Sequence, residues 1–138
     1  MILMVDDESK SMDSYRAELE LSGYAVEYCD NVDAALQYFD KTHDQIQILI
    51  LDIMMPPGRA FRAANTQDGL RTGVLFYERV RLTAPELKVV ILTNVSDRRL
   101  AEQFEREPHA WFLNKEQFLP FELAQEVEKL IGAPPNQA

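Results

Sequence analysis

The chain has 138 residues, of which 46% are hydrophobic and 27% charged, the proportions of one soluble globular domain rather than of a disordered chain. Its 14 Lys plus Arg residues stand against 23 Asp plus Glu residues, and the formal charge of −9 opposes direct binding to nucleic acid or to an anionic membrane. The single cysteine, Cys29, excludes an internal disulfide. Because no signal peptide and no apolar run of about 20 residues is present, the protein is predicted to be cytoplasmic and without membrane insertion.

Five short apolar runs alternate along the chain with longer stretches whose apolar residues recur at helical spacing. The predicted strands span residues 2–5, 25–29, 46–51, 89–93 and 110–113. The helical stripes are formed by Met12, Tyr15 and Leu19; Val32, Ala35, Leu36 and Phe39; Phe76, Tyr77 and Val80; Leu100 and Phe104; and Leu123, Val127, Leu130 and Ile131. This order predicts an α/β fold with a doubly wound, five-stranded parallel sheet of (βα)₅ type.

One segment, residues 57–72, interrupts this alternation. It begins with Pro57 and Gly58 and has no sustained apolar stripe. Since connections in α/β domains usually have roughly 2 to 6 residues, the segment is predicted to be a long loop. The folded domain is predicted to span residues 1–131, and residues 132–138, with two consecutive prolines, to form a disordered tail.

Polar side chains follow four of the predicted strands. Asp6 and Asp7 follow the first, Asp52 follows the third, Thr93 ends the fourth, and Lys115 comes two residues after the fifth. The carboxyl ends of parallel strands meet at one edge of a sheet, where ligands bind. Carboxylates about 4 Å apart repel by about 4 kcal/mol at an effective dielectric constant near 20, so the three acids need a cation or protons. Oxygen ligands of this kind favour Mg²⁺.

This set of residues favours phosphoryl transfer to Asp52. A carboxylate supplies the nucleophile, and a metal ion, an ammonium and a hydroxyl stabilise the phosphoryl group in transfer. In this scheme Asp6 and Asp7 hold the metal, while Lys115 and Thr93 bind phosphoryl oxygens.

Four motifs, in order and at the ends of the expected strands, carry a family resemblance. They are Met4-Val5-Asp6-Asp7-Glu8, Leu51-Asp52-Ile53-Met54-Met55-Pro56, Ile91-Leu92-Thr93 and Phe112-Leu113-Asn114-Lys115. Over nearly the whole chain the sequence resembles the receiver domain of bacterial two-component response regulators. The resemblance implies a flavodoxin-like receiver fold in a single-domain protein of the chemotaxis-regulator kind. It also implies that the protein is no enzyme beyond its own phosphorylation and dephosphorylation.

The resemblance assigns a role to each acid. Asp52 is implied to accept a phosphoryl group from the phosphohistidine of a sensor histidine kinase or of a histidine phosphotransfer protein, as in a phosphorelay. Asp7, Asp52 and the backbone carbonyl of Met54 are implied to coordinate Mg²⁺. Asp6 is implied to act on the metal through water.

Thr93 and Phe112 resemble the pair of residues that switches receivers between two packings. In the family the hydroxyl turns toward the phosphoryl group and the aromatic ring follows it inward. A separate downstream protein is expected to read the change. The alternative for Phe112 is a fixed position in the core at the end of the last strand.

The sequence departs from the family in three places. One is the apolar pair Met54 and Val95, which stand two residues after Asp52 and Thr93, at positions that in the family influence how fast water removes the phosphoryl group. Receivers usually have proline after the conserved lysine, whereas Glu116 follows Lys115, and this bond is expected to be trans because cis costs a non-proline residue about 2.5 to 4 kcal/mol. Receivers also have a glycine some eight residues after the acceptor. Gly73 matches it best, so residues 57–72 are interpreted as an insertion.

Residues 57–72 carry a net positive charge, unlike the chain as a whole. Arg59, Arg62 and Arg71 against Asp68 make this segment positive in an acidic protein. One interpretation is that the arginines keep the loop soluble, and the other is that they cover the acceptor or contact a partner.

Two further functions remain open at this stage. One is a pseudo-receiver, a binding module whose contacts do not depend on phosphorylation. The other is a Mg²⁺-dependent phosphohydrolase with an aspartyl-phosphate intermediate, as in haloacid-dehalogenase-like enzymes. Those enzymes have a second aspartate two residues after the nucleophile, where this chain has Met54, and this argues against the hydrolase.

Overall fold

The structure, a computed structural model, describes residues 1–62, 69 and 71–134. The strands are β1 (Ile2–Val5), β2 (Val26–Cys29), β3 (Ile48–Leu51), β4 (Lys88–Thr93) and β5 (Ala110–Asn114). The helices are α1 (Ser9–Leu21), α2 (Val32–Thr42), α3 (Thr72–Thr83), α4 (Arg98–Glu105) and α5 (Pro120–Ile131). The predicted order of five strand and helix pairs is confirmed.

The strands form one sheet in the order β2-β1-β3-β4-β5, and every neighbouring pair is parallel. The predicted doubly wound sheet is therefore confirmed. Strand order reverses at β1, which lies between β2 and β3. Val5 pairs with Leu51, and Leu51 pairs with Ile91, so these three strands reach the same edge together.

The core has two layers, one on each face of the sheet. Successive strand residues point to opposite faces, so Leu3 and Val5 join one layer while Ile2 and Met4 join the other. We call the layer beneath α2, α3 and α4 the first core layer and the layer beneath α1 and α5 the second core layer. Because both faces are covered, β1 and β3 are buried along their whole length, which explains their uninterrupted apolar sequence.

Local side-chain contacts set two of the helix starts. Asn31 caps α2 by accepting a hydrogen bond from the Ala34 amide, as its position before the second apolar stripe indicates. Asp97 caps α4 in the same way through the Leu100 amide. Within the described residues no helix is both long and apolar enough to span a membrane.

The observed boundaries differ from the predicted ones at five places, of which two are small: β4 begins at Lys88 instead of residue 89, and β5 ends at Asn114 instead of residue 113. The strand predicted from residue 46 begins at Ile48, because the Ile46 amide bonds to the His43 carbonyl and closes a short 3₁₀ turn. The strand predicted from residue 25 begins at Val26. Thr72, predicted as the end of the loop, is the first residue of α3.

The predicted tail is described as far as Pro134. The Gly132 carbonyl accepts a hydrogen bond of 2.7 Å from the Tyr24 hydroxyl, and Pro134 is buried. The boundary at residue 131 stays a prediction. Residues 135–138 of the predicted tail lie outside the described residues. So do residues 63–68 and 70 of the predicted loop.

Candidate functional site

The predicted site residues lie at the carboxyl ends of four strands. Asp6 follows β1 and Asp52 follows β3, which are adjacent. Thr93 ends β4, and Lys115 directly follows β5. The Lys115 amide donates to the Thr93 carbonyl, which extends the pairing of β4 and β5 to the site. The site therefore lies at the point where strand order reverses, as expected for an open parallel sheet.

Three carboxylates meet at this edge. One oxygen from each of Asp6, Asp7 and Asp52 lies within 4.8 Å of the others. Asp6 is 1% exposed and Asp52 6% exposed, whereas Asp7 is open to solvent. A set of hard oxygen donors with one open side fits Mg²⁺, which keeps several of its waters. The residues come together as predicted, and their role as metal ligands stays a prediction.

The environment of Asp52 disfavours its charged form. Burial, followed by the charge of Asp6, raises its pKa to about 6, and Lys115 and the Thr93 hydroxyl only partly oppose this shift. The Ile53 amide also donates to one Asp52 oxygen at 2.8 Å. Burial and then Asp6 likewise raise the pKa of Asp7. A cation between these acids would relieve their repulsion.

Lys115 and Asp6 form a buried ion pair. The Lys115 Nζ lies 2.7 Å from the Asp6 Oδ2, and the two side chains are 8% and 1% exposed. Burial lowers the pKa of Lys115, but the hydrogen bond to Asp6 and the charge of Asp52 outweigh it and raise the pKa. The Glu8 amide donates to the Asp6 Oδ1 at 2.8 Å. Both Asp6 oxygens are thus engaged within the protein, which fits an indirect role at the metal.

A small cavity lies beside Asp52. Its volume is about 50 Å³, space for about two waters at roughly 30 Å³ each. It is lined by Glu8, Asp52, Met54, Thr93, Asn94, Val95 and Lys115. The Thr93 side chain is fully buried, and its hydroxyl accepts a hydrogen bond from the Val95 amide at 3.2 Å. The predicted set of Asp52, Thr93, Lys115 and Met54 therefore borders one space.

Phe112 is not among the residues that line the cavity beside Asp52. It is half-buried on β5 and packs against the first core layer. Its ring stacks on Phe104 of α4 with centroids 5.9 Å apart, and Phe104 in turn contacts Tyr77 of α3 edge-on at 5.0 Å. Its role as a switch with Thr93 stays a prediction. Any movement of this ring also involves α4.

Gly73 brings α3 against the acceptor. A Cβ at this position would lie 2.1 Å from the main-chain carbonyl oxygen of Asp52, closer than any side chain allows. The Gly73 amide donates to the Ile53 carbonyl at 2.8 Å. The match of Gly73 to the family glycine is thus explained by close backbone packing.

Hydrogen bonds hold the described residues at both ends of the 57–72 segment. The Asp33 carboxylate at the start of α2 accepts hydrogen bonds of 2.8 to 3.1 Å from the amides of Arg59 and Ala60. The Met55 amide donates to the Gly69 carbonyl at 3.1 Å, which closes the base of the loop. The backbone hydrogen bonds and then the nearby loop arginines lower the pKa of Asp33.

The loop arginines are not at the acceptor. Among the described residues, none of Arg59, Arg62 and Arg71 lines the cavity beside Asp52. Arg59 and Arg62 lie instead near Asp33. A contact of these arginines with a partner stays a prediction.

Sequence reasoning missed two tyrosines near the site. The Tyr28 hydroxyl donates to the Asp6 carbonyl, and the Tyr15 hydroxyl donates to the carbonyls of Lys115 and Phe118. The apolar stripe of the first helix predicts only a packing role for Tyr15. The one signal in the sequence is the residue type itself, because the hydroxyl of a buried tyrosine usually finds a hydrogen-bond partner.

The bond after Lys115 is trans, since no peptide bond between described residues is cis. The turn is held by side chains instead. The Asn114 side chain accepts from the Glu116 amide at 2.8 Å, and the Asn114 carbonyl accepts from the Gln117 amide at 3.0 Å.

Comparison with known proteins identifies the family. The family model of the response regulator receiver domain matches residues 2–128. No curated protein matches the chain. Solved structures share its fold, including a response regulator receiver domain protein from Clostridium thermocellum, with 23% identity, a TM-score of 0.74 and coverage of 94% of this chain and 92% of that chain.

Two other solved structures are similarly close. The chemotaxis protein CheY4 of Vibrio cholerae has 21% identity and a TM-score of 0.72, and the match covers 94% of this chain and 96% of that one. The receiver domain of NtrX from Brucella abortus has 22% identity and a TM-score of 0.72, over 95% and 98% of the two chains. With the family model matched over nearly its whole length, the chain belongs to the response regulator receiver domains of two-component signalling.

Proposed function

We propose that Asp52 is the phosphoacceptor of this receiver. The observation that carries the proposal is the position of a buried carboxylate beside the Lys115 ammonium, the Thr93 hydroxyl and two further acids. An Asp52 oxygen attacks the phosphorus of a phosphohistidine, the P–N bond breaks, and its electron pair returns to the donor imidazole. Lys115 and Thr93 then bind oxygens of the phosphoryl group on Asp52.

Mg²⁺ fits this function, because it neutralises charge on the acids and on the phosphoryl oxygens. Asp7, Asp52 and the backbone carbonyl of Met54 are the proposed ligands, and Asp6 acts through water. The pairing of Asp6 with Lys115 and the Glu8 amide supports this indirect role.

The proposed donors are a sensor histidine kinase or a histidine phosphotransfer protein, and the proposed reader is a separate downstream protein. The phosphoryl group draws the Thr93 hydroxyl toward it, and the Phe112 ring follows into the first core layer. The contact of Phe112 with Phe104 supports a route from the site to α4.

The phosphohydrolase alternative is disfavoured by the residue two positions after the acceptor. Met54 stands where such enzymes carry a second aspartate. The pseudo-receiver alternative makes a different prediction, namely that Asp52→Asn leaves partner binding and cellular output intact.

Intact-protein mass spectrometry tests the proposal. The protein is incubated with acetyl phosphate and Mg²⁺, beside an EDTA control, an Asp52→Asn variant and an Asp44→Asn variant at the opposite edge of the sheet. We expect an adduct of one phosphoryl group in the wild type and in Asp44→Asn, and none with EDTA or in Asp52→Asn.

Some receivers accept phosphate only from their own protein donor, so a second measurement completes the test. Beryllofluoride, a stand-in for the phosphoryl group, is followed by ¹⁹F NMR with wild type and Asp52→Asn. Absence of both the adduct and bound beryllofluoride in the wild type rejects the phosphoacceptor function and favours the pseudo-receiver.

A further inference from the structure

Two tyrosine hydroxyls hold the main chain of the two residues in the buried ion pair. Tyr28 donates to the carbonyl of Asp6, and Tyr15 donates to the carbonyls of Lys115 and Phe118. We propose that Tyr15 and Tyr28 are positioning residues that fix the Lys115–Asp6 pair beside Asp52. The consequence for phosphoryl transfer rests on the proposed function, whereas the positioning itself does not.

Tyr15 acts on the turn after β5. The Lys115 amide is bound to the Thr93 carbonyl at 3.0 Å, and the Lys115 carbonyl accepts from the Tyr15 hydroxyl at 3.2 Å. The same hydroxyl lies 2.7 Å from the Phe118 carbonyl. Because β4 holds one side of Lys115 and Tyr15 holds the other, the lysine backbone is constrained on both sides.

Tyr28 acts on the turn after β1 in the same manner. The Asp6 amide donates to the Cys29 carbonyl at 3.2 Å, and the Asp6 carbonyl accepts from the Tyr28 hydroxyl. The aspartate backbone is thus constrained on both sides as well. Both tyrosines reach their carbonyls from the second core layer, so they support the pair from beneath the site.

The constraint matters because a lysine ammonium sits on a flexible four-carbon stem. With both main chains held, the Nζ stays at 2.7 Å from the Asp6 carboxylate and near Asp52. Burial raises the pKa of each tyrosine, so both hydroxyls remain protonated donors at neutral pH. Replacement by phenylalanine removes the donor and keeps the packed ring.

Competitive acetylation of lysines tests the positioning in metal-free protein. Wild type, Tyr15→Phe and Tyr28→Phe are treated with trace acetic anhydride at one fixed pH, and each lysine is quantified by peptide mass spectrometry. We expect acetylation of Lys115 to rise about three- to tenfold in both variants, the range of one net hydrogen bond. Exposed Lys129 is the internal standard.

The matched control is Tyr24→Phe. Its hydroxyl also donates to a main-chain carbonyl, that of Gly132 at 2.7 Å, and its ring lies in the same second core layer. Because this contact involves the chain after α5, away from the site, Lys115 acetylation should stay at the wild-type value.

Half-buried Lys88, whose ammonium donates to the Leu130 carbonyl, reports general loosening. Lys88 acetylation should match the wild type in Tyr15→Phe and Tyr28→Phe. A parallel rise of Lys88 and Lys115 assigns the tyrosines a merely structural role and overturns the proposal. If Lys115 acetylation stays at the wild-type value in either variant, the proposal is overturned for the tyrosine replaced in that variant.

The rate of phosphorylation by acetyl phosphate at saturating Mg²⁺ supplies the functional readout. We expect it to fall about three- to tenfold in Tyr15→Phe and Tyr28→Phe, and to be unchanged in Tyr24→Phe. If the wild type forms no adduct and binds no beryllofluoride while the acetylation pattern holds, the positioning stands and the proposed function fails.

Discussion

A Cβ on Gly73 would lie 2.1 Å from the main-chain carbonyl oxygen of Asp52, so α3 and the acceptor strand meet backbone to backbone. The contact joins the first turn of α3 to the residue that is proposed to carry the phosphoryl group. Nothing flexible lies between them, since the neighbouring atoms are all main chain.

Gly73→Ala should therefore destabilise the protein by about 3 kcal/mol, as overpacking against rigid backbone does. The sign of the change in the free energy of unfolding distinguishes this contact from an ordinary helix position, because alanine in place of glycine within a helix ordinarily stabilises by about 0.5 to 1 kcal/mol. Urea unfolding monitored by circular dichroism measures the change. A gain in stability would contradict the close approach.

Asp52→Asn should stabilise the metal-free protein at pH 7.5. The pKa of Asp52 is about 6 in the folded protein, against an ordinary value of 3.8, and that difference corresponds to at most about 3 kcal/mol. The folded state of the wild type binds the Asp52 proton more tightly than the unfolded state does. The contribution of protonated Asp52 to wild-type stability is therefore fully present below pH 3.8 and is lost as the pH rises through about 6. The advantage of the variant should disappear near pH 3.8. Equal urea midpoints at pH 7.5 in EDTA would refute the prediction.

Mg²⁺ should stabilise the wild type and not Asp7→Asn. A ligand that binds only the folded state at ten times its dissociation constant adds about 1.4 kcal/mol. Burial and the charge of Asp6 raise the pKa of Asp7, so its replacement should not weaken the EDTA form at neutral pH and should stabilise it slightly. Thermal unfolding with and without Mg²⁺ measures the difference, and Asp44→Asn is the control. Equal Mg²⁺ stabilisation of Asp7→Asn and wild type would exclude Asp7 as a ligand.

Lys115→Gln should cost about 3 kcal/mol, because it leaves the buried Asp6 carboxylate without its partner. Adding Asp6→Asn should restore part of the loss, which a double-mutant cycle in urea measures. The exposed pair of Arg16 and Glu20 provides the contrast, since Glu20→Gln should have no measurable effect. Additive losses in the Lys115 and Asp6 variants would mean that the pair is not coupled.

Asp33→Ala should release the amino-terminal part of the inserted loop. The carboxylate accepts from the amides of Arg59 and Ala60, so these two amides should exchange their hydrogens faster in the variant. In the wild type the pKa of Asp33 is lowered, so the same release should occur on acidification below its ordinary value near 3.8. Asp40→Ala, which removes a surface pair with Arg79, is the control. If the Arg59 amide exchanges at the wild-type rate in Asp33→Ala, Asp33 does not hold this part of the loop.

The sheet and the acidic site could be predicted because both depend on patterns within short stretches of sequence: the apolar spacing of each element and the polar residues that follow each strand. Alternation of apolar runs and helical stripes determines the strands, and the ends of parallel strands bring Asp6, Asp52 and Lys115 to one edge. The tyrosine contacts could not be predicted in this way. Tyr15 lies 100 residues from Lys115 along the chain, and whether its hydroxyl meets a carbonyl depends on how α1 packs on the sheet.

Asp33 escaped prediction for the same reason, because its partners are loop amides 26 and 27 residues away. The early start predicted for β3 has a local cause. Ile46 is apolar and buried, yet its amide belongs to the 3₁₀ turn rather than to the sheet. Periodicity reports burial and does not distinguish these two hydrogen-bonding states.

The hydrogen bond between Met55 and Gly69 has a consequence for how this chain tolerates change. It joins Met55 to Gly69, so the described chain on the two sides of the segment is held together before α3 begins. We expect a change of length between Met55 and Gly69 to leave the close approach of Gly73 to Asp52 in place, because the atoms that make it are main-chain atoms outside that stretch. A new binding specificity built between these two residues is therefore expected to be compatible with the proposed acceptor site.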